Sequence, residues 1–174
     1  AKLPGVLRVQ RNITRFLQTD YGPAWIGAPS VWDGSATGDA GTQGEGVVVG
    51  ILDSGINTDH PSFAAVGGDG YAHPAPPGGF VGWCDPADPN YDATLVCNNK
   101  LIGLRSYPDS GNDPEDDDGH GSHTASTTAG NVVDSTLYGP TTSVSDTISG
   151  VSPHSHIIAY DVCTGSGCQL TSIV

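Results

Sequence analysis

Two short runs of the sequence contain residue types that could form part of a hydrolytic site. The run DGHGSH places His120 between two glycines, and the run GVVVGILDSGI ends an aliphatic stretch on Asp53. A histidine can take a proton from a hydroxyl nucleophile because its pKa lies near neutral pH. A buried carboxylate can hold that imidazole in one tautomer and stabilise its charged form. Asp53 and His120 are therefore candidate catalytic residues, as orienting acid and general base.

Each of the two residues also has a common non-catalytic interpretation. An aspartate after a strand often closes a turn, and a histidine at a helix start often caps the helix or faces solvent. The catalytic interpretation depends on both residues standing in matching places, at the end of a strand and at the start of a helix. A hydroxyl nucleophile is also required, and the motif Gly-x-Ser-x-Gly does not occur in the 174 residues.

Five segments of the sequence predict regular elements around these two residues. Residues 47–52 form a nearly continuous aliphatic run, which is typical of a strand buried on both faces. Residues 100–107 and 157–162 predict two further strands. The small residues from His120 to about Asn131 predict a helix that can pack closely against a sheet, and residues 29–33 predict a short helix with a proline near its start.

The order strand, long excursion, strand, helix, strand predicts an α/β fold with a parallel sheet flanked by helices. Functional sites in such sheets lie at the carboxyl ends of the strands, which is where the sequence places Asp53. The remaining segments predict loops because they are rich in Gly, Pro, Asp, Ser and Thr. These are residues 34–46, most of 57–99, 109–118 and 132–149, and the acidic segment 109–118 is expected to be solvated.

The charge of the chain is unevenly distributed. The net charge is −13, yet the first fifteen residues carry four basic residues and no acid. Only Lys100 and Arg105 oppose the 19 acids of the remaining body. Such a body should repel nucleic acid and anionic membranes, and no window approaches 18 continuous apolar residues, so no transmembrane helix is expected. The acidic surface indicates a soluble protein or one from a salty habitat. The alternative is that the basic arm docks on the acidic body.

The four cysteines predict an exported protein with local disulfides. Cys163 and Cys168 flank the run TGSG, and Cys84 and Cys97 bracket a segment rich in Pro and Asp. Three connectivities are open from sequence alone. A zinc site is the alternative, although no Cys-x-x-Cys pair supports it. The N-terminus lacks the apolar segment of a signal peptide, so we expect any such signal to have been removed.

Three segments resemble motifs of one family, the subtilisin-like serine proteases or subtilases. VVVGILDSGINTDHPSF resembles their Asp motif, DDDGHGSHTASTTAGN their His motif, and GVSPHSHIIAYDVC the segment that follows. The resemblance covers residues 46–163 in the family's order. It implies that Asp53 orients His120, that His120 is the general base, and that His123 occupies a structural position of the motif. Ser122 replaces the more usual Thr, and an excursion over residues 67–99 lengthens the spacing between Asp53 and His120.

The resemblance also implies what this chain lacks. The family's Gly-Thr-Ser-Met-Ala motif, which carries the nucleophile, does not occur in it. We therefore expect residues 19–174 to be the N-terminal portion of a subtilase catalytic domain, with an incomplete subtilisin-like sheet, the nucleophile on a C-terminal remainder, and protein or peptide substrates. Residues 1–18 resemble the end of an inhibitory propeptide, which predicts maturation cleavage near Gln18 or Thr19.

Three alternatives to a cofactor-free secreted serine endopeptidase stay open at this point. The first is a non-catalytic subtilase-like fragment or binding module, which would have to fold alone. The second is a metal-dependent hydrolase that uses His120, His123 and acids of residues 113–118. The third is a structural calcium ion bound by those same acids, because oxygen-rich loops bind calcium and such an ion would fit the family. The spacing of the acids, however, matches no EF-hand.

Overall fold

The computed structural model describes residues 18–107, 113–139, 141–164 and 167–168. A four-stranded parallel sheet forms the centre, with α3 packed against it and a few further helices, which confirms the predicted α/β class. Among the described residues, no helix is long and apolar enough to cross a membrane. The elements in chain order are α1 (Gln18–Trp25), α2 (Ala28–Trp32), β1 (Val48–Asp53), a 3-10 helix (Pro61–Phe63), β2 (Val81–Gly82), β3 (Leu101–Ser106), α3 (His120–Ala129), β4 (Val133–Tyr138), β5 (Ser143–Ile148), β6 (His156–Asp161), β7 (Cys163–Thr164) and β8 (Gly167–Cys168).

The central sheet has the strand order β1-β6-β3-β2, with every neighbouring pair parallel. Strand β1 pairs along its whole length with β6, from Val48 opposite His156 to Asp53 opposite Asp161. Because the strands are parallel, their carboxyl ends meet at one edge of the sheet. The prediction that Asp53 is the last residue of its strand is confirmed.

The hydrophobic core lies where α3 packs against β1 and β6. Ala125 and Ala129 of this helix are fully buried, and their small side chains bring the helix backbone close to the sheet. This confirms the predicted role of the small-residue helix. The other fully buried members of the cluster are apolar side chains of the sheet and of the loop after β1, namely Ile56, Phe63, Leu101, Leu104, Ile157 and Ala159.

Strand β1 is buried on one face only, so the expectation of burial on both faces is wrong. Its outward residues Val48 and Leu52 are 38% and 51% exposed, whereas Val49 and Ile51 pack against the core. The reason is that, in the described residues, the core and α3 lie against one face of the strand. Within the described residues β1 stands at the end of the strand order, and the core lies on the face that carries Val49 and Ile51.

Lys100, one of the two cations of the acidic body, is fully buried. Its Nζ donates hydrogen bonds to the carbonyl oxygens of Pro153 at 2.7 Å and Ser155 at 2.6 Å. Burial lowers the pKa of Lys100 to about 7, and the charge of Asp69 opposes this only in part. The ammonium group thus ties the loop before β3 to the loop before β6.

The segment 132–149, predicted as a loop, contains the antiparallel hairpin β4–β5. Val133 stands opposite Ile148 and Tyr138 opposite Ser143. Nearly all of its side chains are exposed, so the sequence shows no alternation of apolar and polar residues that would mark a half-buried strand. The short helix predicted over residues 29–33 is confirmed as α2.

The predicted local disulfides are confirmed. Cys84 is bonded to Cys97 and Cys163 to Cys168, so all four cysteines are oxidised and the zinc alternative is wrong. The first bond closes a loop of the long excursion, in which β2 is the one strand among otherwise irregular residues 64–100. The basic N-terminal arm, which the sequence suggested as a propeptide remnant, lies outside the described residues.

Candidate active site

The structure brings Asp53 and His120 into direct contact. The Nδ1 atom of His120 lies 2.7 Å from the Oδ1 atom of Asp53, at the carboxyl edge of the sheet. The Asp53 side chain is 16% exposed, so it is shielded rather than fully buried, and the His120 side chain is 65% exposed. The ionised carboxylate can only accept, so the proton of this hydrogen bond belongs to Nδ1. Nε2 is then the ring nitrogen that can take a proton from a nucleophile.

Two glycines allow the loop after β1 and the start of α3 to approach so closely. A Cβ atom on Gly121 would lie 2.1 Å from the carbonyl oxygen of Gly55, which no side chain could tolerate. Gly55 itself has a φ of +95°, and a Cβ there would meet the carbonyl oxygen of Pro114 at 2.6 Å. The close contact of these backbones limits the distance between Asp53, two residues before Gly55, and His120, which directly precedes Gly121.

Asp53 accepts hydrogen bonds through both of its oxygens. Oδ1 also accepts from the backbone N–H of Ser54 at 2.8 Å, and Oδ2 accepts from the Thr124 hydroxyl at 3.1 Å. Partial burial alone would raise the pKa of Asp53, but the hydrogen bonds from His120, Ser54 and Thr124 outweigh it and lower the pKa below its usual value. The carboxyl group is therefore ionised at neutral pH.

The imidazole of His120 responds in the opposite direction. The hydrogen bond to Asp53 and its negative charge raise the pKa of His120 above its ordinary value, and Asp118 and Asp116 add smaller contributions of the same sign. An imidazole with a raised pKa is a stronger base, and its protonated form is stabilised beside the carboxylate. The pair can accept and hold a proton from a hydroxyl group.

The acidic loop before α3 is only partly solvated, in contrast to the expectation from sequence. From Asp113 onward, where the structure describes it, the loop packs against residues 54–58. Asp116 accepts from the Ser54 hydroxyl at 2.9 Å, and Glu115 accepts from the backbone N–H of Thr58 at 3.3 Å. The loop is held in place because protein donors replace water around these two carboxylates.

His123 does not join the Asp53–His120 pair. It lies on an exposed part of α3, where it lines a groove together with Asn57 and His60. Among the described residues, no group of three or more His, Cys, Asp or Glu side chains is arranged to hold a metal ion. The calcium site suggested for the acidic loop stays a prediction.

Sequence reasoning missed the residues that support the pair. Thr124 follows His120 by four positions, which puts both on one face of α3, and Ser54 directly follows Asp53. Both positions could have been found from spacing once the pair was identified. Asp116 could not have been found in this way. It is one of three consecutive aspartates, and the path of the loop decides which of them faces Ser54.

Comparison with known proteins identifies the family to which this arrangement belongs. Residues 44–174 match the profile of the subtilase family, peptidase family S8. The chain belongs to the subtilase family. It is 36% identical over 175 residues to the subtilisin-like protease SBT4.13 of Arabidopsis thaliana, an alignment that covers all of this chain and 21% of the relative. It is 43% identical to SBT4.10 of the same plant over 123 residues, which cover 70% of the chain and 16% of the relative.

A third relative, the subtilisin-like protease SBT1.4 of Arabidopsis thaliana, is 33% identical over 190 residues, covering 98% of the chain and 22% of the relative. The chain spans about a fifth of the length of these curated relatives. Subtilases are serine proteases, which agrees with the class expected from the Asp and His motifs.

Proposed function

We propose that the protein is a secreted serine endopeptidase, in which Asp53 orients His120 and His120 is the general base. The observation that supports this most directly is the 2.7 Å contact between His120 Nδ1 and Asp53 Oδ1 at the carboxyl edge of a parallel sheet. The family match gives the reaction class, and the pKa shifts of both groups favour a charged carboxylate beside a basic imidazole.

In this mechanism Nε2 of His120 takes the proton of a serine hydroxyl as the oxygen attacks the carbonyl carbon of a peptide bond. The imidazolium then forms beside the ionised Asp53, and it later donates the proton to the leaving amine. Asp53 stays ionised throughout, since Ser54 and Thr124 donate to it as well. The serine and the groups that stabilise the tetrahedral intermediate are expected on the sequence beyond residue 174, and no metal or cofactor is required.

The test uses the full-length protein that contains this chain, since the nucleophilic serine is expected outside residues 1–174. Wild type should react with a fluorophosphonate probe at a serine outside residues 1–174 and should cleave a protein substrate such as casein. Replacing Asp53 by Asn should lower kcat about 10⁴-fold, because the amide removes the charge and favours the wrong tautomer of His120. His120→Ala should abolish both reactions.

Asp117→Asn provides a matched control, because Asp117 is an exposed acid of the loop before α3 and should leave kcat unchanged. Full activity of His120→Ala, or inhibition of wild type by a chelator without any probe adduct, would overturn the proposal. The second result would favour the metal-dependent alternative, and an inactive, unlabelled wild type would favour the non-catalytic one.

We further propose that residues 1–18 are the end of an inhibitory propeptide and that the protein is exported. Support comes from the switch of charge after the basic arm, from the resemblance noted above, and from the two disulfides, which persist in oxidising compartments. N-terminal sequencing of the mature, exported protein should start near Gln18 or Thr19. A mature protein that retains the arm, or one found only in the cytosol, would refute this part.

A further inference from the structure

We propose that Asp116 is a positioning residue for the proposed reaction: its carboxylate clamps the start of α3 against the residue that follows Asp53. This inference rests on the proposed function, because it concerns how the pair of Asp53 and His120 is held. It assigns a role to one acid of the loop before α3, whose composition alone predicts a solvated loop.

The two oxygens of Asp116 reach both sides of His120. Oδ1 accepts from the backbone N–H of Gly119 at 2.8 Å, just before the histidine, and Oδ2 accepts from the backbone N–H of Ser122 at 2.7 Å, just after it. Gly119 and Ser122 lie at the first turn of α3, where backbone N–H groups lack partners within the helix. One carboxylate thus fixes the backbone around His120.

The same carboxylate extends to the strand that carries Asp53. Oδ1 also accepts from the Ser54 hydroxyl at 2.9 Å, and the Ser54 oxygen in turn accepts from the backbone N–H of Gly121 at 2.9 Å. An ionised carboxylate can only accept, so the Ser54 proton is committed to Asp116 and its lone pair faces Gly121. The residues that directly follow Asp53 and His120 are therefore joined through one hydroxyl whose direction Asp116 sets.

The clamp needs the charged form of Asp116. Burial opposes that charge, but hydrogen bonds from Ser122, Gly119 and Ser54 outweigh it and hold the pKa of Asp116 below its usual value. Asp117 and Asp118 are exposed by contrast. An asparagine could not reproduce the contacts, because its amide group would face one of the donors that the carboxylate accepts from.

Loss of the clamp should displace His120 relative to Asp53 and to the serine. A displacement of 1 Å in a catalytic group can cost about 100-fold in rate. The displacement acts on the reacting geometry and leaves substrate-binding surfaces in place, so kcat should fall while KM changes little. Asp118 supplies the matched charge control, since both Asp116 and Asp118 raise the pKa of His120 through their charge but only Asp116 bridges the two elements.

The experiment measures kcat, KM and the pH profile of kcat/KM for full-length wild type, Asp116→Ala, Asp116→Asn, Asp117→Asn and Asp118→Asn. Both Asp116 variants should lose about 10- to 100-fold in kcat. Asp118→Asn should keep the wild-type kcat and only move the acid limb of the profile to lower pH, because a negative charge near His120 is removed. Asp117→Asn should match wild type in kcat.

Equal kcat values for Asp116→Asn and Asp117→Asn, or a loss confined to KM, would overturn the positioning role while leaving the proposed function intact. If Asp116→Ala does not fold, Ser54→Ala carries the test. It removes the bridging hydroxyl and keeps the carboxylate, and it should lower kcat with a loss that is not additive with that of Asp116→Asn. Additive losses would refute the bridge. A wild type without serine-directed activity would instead refute the proposed function.

Discussion

The buried lysine leads to a quantitative prediction about pH and stability. Lys100 has an ordinary pKa of 10.5, and burial lowers it to about 7 in the folded protein. Between these values the unfolded chain holds a proton that the folded chain lacks, so the free energy of unfolding rises with pH, by about 1.4 kcal/mol per pH unit. From pH 7, where the folded lysine is half protonated, to pH 9, the rise amounts to about 2 kcal/mol.

Replacing Lys100 by Met removes this dependence. The variant should lose about 1 kcal/mol for each hydrogen bond to the carbonyls of Pro153 and Ser155 at every pH. Relative to wild type, it should therefore be about 2 kcal/mol more stable at pH 7 than at pH 9. Urea unfolding of the full-length proteins, followed by tryptophan fluorescence at pH 7, 8 and 9, measures the difference.

Arg105→Gln provides the control, because Arg105 is the other cation of the body and is exposed. It should leave the dependence on pH as in wild type. Parallel pH dependences for wild type and Lys100→Met would refute the reasoning, since they would mean that the buried amine keeps its ordinary pKa in the fold.

Two further predictions concern backbone packing and acid stability. Gly121→Ala places a methyl group 2.1 Å from the Gly55 carbonyl and should lower the free energy of unfolding by about 3 kcal/mol or more. Gly119→Ala meets open space and bears only the cost of its positive φ, about 1–2 kcal/mol. Equal losses of the two variants in thermal unfolding would contradict this. Burial would raise the pKa of Glu45, but hydrogen bonds, first that with His154, lower it from 4.5 to about 2, so its stabilisation is present above pH 4.5 and lost toward pH 2. Glu45→Gln should weaken neutral stability and flatten acid unfolding between these values, and an unchanged acid transition would count against a stabilising role of the hydrogen bond to His154.

The sequence predicted those elements whose burial requires a recognisable run of apolar or small residues. Strands β1, β3 and β6 were located within one residue because parallel strands in a core require apolar runs. Helix α3 was located from the small residues that follow a glycine-flanked histidine, and it ends at Ala129, two residues before the predicted end. The hairpin β4–β5 was missed because both of its faces are exposed. Burial of β1 on both faces was wrong because a run of apolar residues does not reveal whether packed elements cover both faces of the strand.

For the site, the Asp and His motifs together predicted the pair, because a strand end and a helix start can bring a carboxylate and an imidazole to the same edge of the sheet. The clamp by Asp116 was beyond sequence reasoning. Three aspartates in a row are chemically equivalent in the sequence, and only the path of the backbone selects one of them to face Ser54.

The pairing of β1 has a consequence for biosynthesis. In the described sheet its partner is β6, about 100 residues later in the chain, and no nearer strand pairs with it along its length. A ribosome must therefore release the segment through Asp161 before the strand that ends on Asp53 can dock. Long-range pairing of this kind is slow because the loop must close before contacts form. A nascent chain that has not reached β6 lacks the strand on which β1 docks, so the edge of the sheet that carries Asp53 is completed only after residue 161 has been synthesised.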